Sequence, residues 1–68
     1  MMFAWVSRKN GYGNYELGTA NNTCVSARTV EGIRGKAKKY IGVRGGKAEV
    51  YYSEECKYRD IPDLTINF

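Results

Sequence analysis

Few side chains in this 68-residue sequence are equipped for covalent or metal chemistry. There is no histidine, and the two cysteines, Cys24 and Cys56, are far apart and outside any CxxC spacing. Two thiols without a third or fourth ligand do not make a structural zinc site. No serine, lysine or cysteine stands in a recognisable nucleophile setting, so a catalytic triad has no candidate members. Glu54, Glu55, Asp60 and Asp63 are close enough in sequence to gather magnesium, although acids in such a turn more commonly keep a strand edge soluble. Gly11-Tyr12-Gly13 lacks the strand-to-helix context that a phosphate loop requires. The expectation is a protein that is not an enzyme and uses no cofactor, no metal and no small-molecule substrate.

What remains is charge. From Arg28 to Lys47 the bases Arg28, Arg34, Lys36, Lys38, Lys39, Arg44 and Lys47 face one acid, Glu31, while Ala48 to Phe68 is net acidic. The middle of the chain is therefore the part suited to a polyanion or an acidic partner. A solvated cationic face also keeps a small protein soluble, and the density of charge, two glycines and nearby aromatics tilt the reading toward binding. Tyr51 and Tyr52 follow in a stretch with strand periodicity, so they point to opposite faces and one of them should be exposed. An exposed tyrosine beside cations can stack a base or anchor a protein. The candidate binding residues are thus Arg28, Arg34, Lys36, Lys38, Lys39, Arg44, Lys47, Tyr51 and Tyr52.

Most of these cations sit on or beside one predicted helix, Thr29 to Ile41. At about 100° per residue, Val30, Ile33, Ala37, Tyr40 and Ile41 share a stripe that would lie on a core. Thr29 can cap its start, Glu31 and Lys38-Lys39 complement its dipole, and Gly42 can stop it. Gly32 and Gly35 fall on the free face, where each costs roughly 1 kcal/mol relative to alanine. Either something approaches that face closely, or the helix is short and starts late.

Around the helix the pattern has period two. Met2 to Ser7 alternates as a first strand, Tyr15, Leu17 and Thr19 as a second, and Cys24 to Arg28 as a third. Asn21-Asn22 suits a tight hairpin, since asparagine tolerates left-handed backbone. After the helix, Lys47–Tyr52, Cys56–Ile61 and Leu64–Phe68 alternate in turn, with Pro62 separating the last two. The expected class is α+β: one domain, residues 1–68, with an antiparallel sheet of four to six strands in βββαββ order and one amphipathic helix packed on one face. A chain this short supports one small core. No run is long enough for a membrane span, and the apolar start Met1 to Val6 is too short for a signal sequence. The expected location is the cytoplasm, with both thiols reduced and buried or half-buried.

Three resemblances bear on the partner. Gly32-Ile33-Arg34-Gly35 has the GxxG form of a KH-domain loop, although Lys38 stands where that pattern wants a branched apolar residue. The order of three strands and a helix bearing Lys36, Lys38 and Lys39 is similar to the second half of a double-stranded-RNA-binding domain, without that family's leading helix. The whole chain resembles small phage and prophage proteins of the anti-CRISPR type. These have a first hairpin, a strand running through a Ser/Thr cap into an Ala/Lys-rich helix (here Val25 to Lys38), then a closing hairpin. That resemblance implies a phage-type inhibitor that binds a host nucleic-acid-handling defence complex stoichiometrically, in the host cytoplasm. Many such inhibitors are acidic imitations of DNA, and the net charge of +4 departs from that. Direct binding of DNA or RNA through the same face is the alternative expectation, and a structural, self-associating protein the third.

Overall fold

The computed structural model describes residues 1–15, 21–52 and 61–68. They form an α+β fold: strand β1 (Met2–Arg8), strand β2 (Asn22–Ala27), helix α1 (Val30–Ile41), strand β3 (Gly46–Tyr51) and strand β4 (Leu64–Asn67). The four strands make one antiparallel sheet in the order β2-β1-β3-β4. Because β1 runs antiparallel to both neighbours, β2 and β3 run parallel on either side of it. A tight turn cannot join parallel strands, so the connection crosses a face of the sheet, and α1 is that crossover.

The registers Ala4↔Val25, Ala4↔Val50, Val6↔Ala48 and Ala48↔Ile66 put these residues on one face. Helix residues Ile33, Ala37 and Ile41 close over them, with Val30 and Tyr40 packed at the margin. The sheet contributes mainly alanine and valine, and this lets the helix approach closely enough to bury the two isoleucines fully. Each large aliphatic side chain buried this way contributes about 1.5–3 kcal/mol. The apolar stripe expected from the sequence is therefore the one the core uses. Edge strand β4 closes the sheet as the alternation of Leu64, Ile66 and Phe68 implies, with Ile66 buried and the other two partly so.

Local chemistry sets the helix ends. Thr29 is extended and its Oγ1 accepts from the Gly32 amide at 3.1 Å. Gly42 has φ of 63°, a conformation side chains rarely adopt, and its N–H donates to the Lys38 carbonyl at 2.8 Å. Glycine has a different role at position 46, where a Cβ would fall on the Ser7 carbonyl oxygen of β1.

Some expectations change. Asn22 belongs to β2, opposite Ser7, and no residue other than glycine among the described residues has positive φ. The strand pair therefore does not rest on left-handed asparagines. Of the second expected strand, Tyr15 forms an isolated bridge with Lys9, and residues 16–20 lie outside the described residues. So does nearly all of the strand expected over Cys56–Ile61, together with Cys56 itself and the acids Glu54, Glu55 and Asp60. Cys24 is an exposed free thiol on the sheet face away from the helix, where a buried or half-buried one was expected. Among the described residues no helix is long and apolar enough to cross a membrane.

Candidate functional site

The cations that are contiguous in sequence diverge in space. Lys36 leans to the β2 side, where its Nζ donates to the Ser26 carbonyl. Lys38 leans the other way and lines a shallow depression with Lys9, Arg44 and Phe68. Residues two apart on a helix point about 200° from each other, so one helix cannot present both to the same ligand. Arg34 and Lys39 are exposed on the helix. Arg28 is also exposed, but it follows β2 at the end of the molecule where the helix begins.

The two free-face glycines separate as well. A Cβ on Gly32 would stand 2.8 Å from the Ala27 Cβ, so the body that approaches there is the chain's own β2. A Cβ on Gly35 would meet nothing within 4 Å. The tyrosine pair splits as expected, with Tyr52 at 55% exposure and Tyr51 at 4%. Tyr51 is thereby removed as a contact residue. Tyr52 lies at the far end of β3 from Lys47, and its amide donates to Asp63 Oδ2 at 2.8 Å. An acid beside it makes a poor start for a phosphate site.

A cluster that the linear charge count does not contain forms at the opposite end of the sheet. There β1 finishes, β3 begins and α1 terminates, so Lys9, Lys38 and Arg44 meet around one depression, with Arg8 and Lys47 at the same end on opposite faces of the sheet. The Arg8 guanidinium lies over the Tyr40 ring at 4.7 Å from its centre. The Lys9 and Lys47 ammoniums lie 5.7 and 5.2 Å from the centre of the Tyr15 ring. Lys47 is also 3.9 Å from Glu49, a long contact between two half-buried side chains. Among the described residues no acid forms an ion pair with Lys9, Lys38 or Arg44.

Two neighbouring loops frame this end. The Lys9 amide donates to the Gly45 carbonyl at 3.0 Å, tying the loop after β1 to the loop before β3. Asn10 shapes the first loop: its Oδ1 accepts from the amides of Tyr12 (2.8 Å) and Asn14 (3.1 Å), and its own amide donates to the Asn14 carbonyl. These bonds hold residues 10–14 in a tight turn closed by the Lys9↔Tyr15 bridge. Tyr12 stands out from it at 91% exposure, and Val43 is fully exposed on the adjacent loop.

Of the residues expected from sequence, Lys38 and Arg44 line one depression at this end and Lys47 reaches the same end on the sheet face away from the helix, while Arg28, Lys36, Tyr51 and Tyr52 do not join them. Lys9, Tyr12 and Tyr15 were missed. The legible signal was a loop sequence, Asn10-Gly-Tyr-Gly-Asn, that returns the chain to its starting lysine and so sets an aromatic beside a cation.

The fold and this end define a small α+β domain with a cationic, aromatic-bearing surface. No protein-family model matches the chain, and neither a curated protein nor a solved structure matches it.

Proposed function

We propose that this chain is a non-enzymatic binding protein that engages nucleic acid, alone or within a nucleoprotein complex, through the end of the sheet bearing Lys9, Lys38, Arg44 and Lys47. The observation that carries the reading is that Lys9, Lys38 and Arg44 come from three different segments onto one depression, with no acid paired to them among the described residues, while Lys47 lies beyond Lys9 across the Tyr15 ring. Cations gathered on one surface repel one another, and a bound polyanion relieves that repulsion while releasing its own counterions. Phosphate contacts of this kind give affinity and orientation with little sequence preference.

The test is fluorescence anisotropy of labelled oligonucleotides with wild type, a Lys9→Glu/Arg44→Glu variant and an Arg28→Glu variant. Arg28→Glu removes as much charge per site from the far end. The double variant should lose binding, and Arg28→Glu should stay close to wild type after allowance for net charge. Absence of wild-type binding at low salt, or equal loss per charge in the two variants, would sink the proposal.

A narrower form of the same reading is the phage-type inhibitor of a host nucleic-acid-handling complex. Tyr12 and Val43 favour it, because exposed apolar tips beside a cationic surface suit a protein partner next to its bound nucleic acid. It predicts that the protein copurifies with a nucleoprotein effector and slows its activity in a one-to-one titration. Recovery of the free protein alone, with effector activity unchanged, would discard this narrower form.

A further inference from the structure

We infer that the ligand of the cationic end is a single strand, DNA or RNA, with unstacked bases resting on Tyr15 and Tyr12. This rests on the nucleic-acid reading just given and names its substrate class. Cations that served only a duplex backbone would need no aromatic surface among them, because paired bases hide their faces in the stack. Here a ring lies among the cations, and a second, Tyr12, stands exposed on the loop that ends at it. Lys38 and Arg44 line the depression, Lys9 lies between that depression and the Tyr15 ring, and Lys47 stands on Tyr15 as well. A positively charged track with aromatic side chains set along it is the arrangement that holds a single strand without reading its sequence.

The rings are accessible and held in place. Tyr15 is 47% exposed, and the two ammoniums near it sit on flexible stems at more than 5 Å from the ring centre. Each lysine can swing to a phosphate and yield the ring to a base, exchanging a weak exposed cation–π contact for stacking and a charge-assisted contact. Tyr12 sits on a loop whose backbone the Asn10 side chain fixes through two amides, so little loop freedom is lost when a base lands on it.

The test compares oligo(dT), oligo(U) and a mixed-sequence DNA duplex of equal length at one low salt concentration. It uses wild type, Tyr15→Leu and a Tyr12→Ala/Tyr15→Leu variant, each checked for folding by circular dichroism. Wild type should bind one or both single strands at least about tenfold more tightly than the duplex. The Tyr variants should lose about tenfold or more on single strands and change little on duplex. The oligo(dT) and oligo(U) arms identify whether DNA or RNA is preferred. Equal or tighter duplex binding, or Tyr variants that match wild type on single strands, overturns the single-strand assignment while leaving the cationic site standing. Absence of binding to all three ligands overturns the site itself.

Discussion

Gly32 and Gly35 lie three residues apart on the same helix, yet their replacement by alanine should have opposite effects. In propensity alone each Gly→Ala change is worth about 1 kcal/mol in favour of the helix. At Gly35 nothing lies within 4 Å of the new methyl, so the gain stands undiminished. For a domain of this size that raises Tm by about 4–8 °C. At Gly32 the methyl would stand 2.8 Å from the Ala27 Cβ and 3.4 Å from the Thr29 Oγ1 that caps the helix. Neither atom is the far end of a flexible side chain, so helix and β2 must separate. Overpacking of this kind costs about 1–3 kcal/mol, which leaves Gly32→Ala between neutral and about 2 kcal/mol destabilising. Urea and thermal unfolding followed by circular dichroism measure both variants against wild type. A Gly32→Ala protein stabilised as much as Gly35→Ala would refute the close approach of α1 to β2. The same pair speaks to function, because Gly35 lies on the free helix face and lines no part of the depression around Lys38. Gly35→Ala should bind oligonucleotide as wild type does, and a large loss would move the binding surface onto the helix.

Two further substitutions probe the helix. Thr29→Ala removes the side chain that accepts from the Gly32 amide and should cost about 1 kcal/mol, while Thr29→Asp should keep most of the stability; equal losses in thermal unfolding would show that the cap is not what Thr29 supplies. Ile33→Ala empties a fully buried position and should cost about 2–5 kcal/mol, a large share of the roughly 3–10 kcal/mol expected for a chain of this length. A urea midpoint close to wild type would contradict the placement of Ile33 at the centre of the core.

The fold was legible where the periodicity was strong. The stripe Val30, Ile33, Ala37, Tyr40, Ile41 and the alternation of Met2 to Ser7 each name their buried face, and Thr29 and Gly42 name the helix ends. Strand neighbours were not legible, because alternation tells which face a residue takes and nothing about which strand lies beside it. That β1 sits between β2 and β3 follows from the crossover, a long-range feature. The candidate site was half legible for a related reason. Counting charge along Arg28 to Lys47 found Lys38, Arg44 and Lys47, but it pooled them with Arg28 at the far end and with Lys36 on the other flank of the helix. It could not find Lys9 and Tyr15, which meet where a separate loop shaped by Asn10 closes, or Tyr12, exposed on that loop. Gly32 shows the limit from the other side, since its cost in the helix is explained by Ala27, a residue the helical wheel does not contain.

The central claim is that four cations at one end of the sheet contact phosphates. The most direct measurement is the slope of log affinity against log salt for wild type on a single-stranded oligonucleotide. Four phosphate contacts predict a slope of about −3, or about a fiftyfold loss between roughly 50 and 200 mM salt. A slope near zero, or no binding even at the lowest salt, would contradict it.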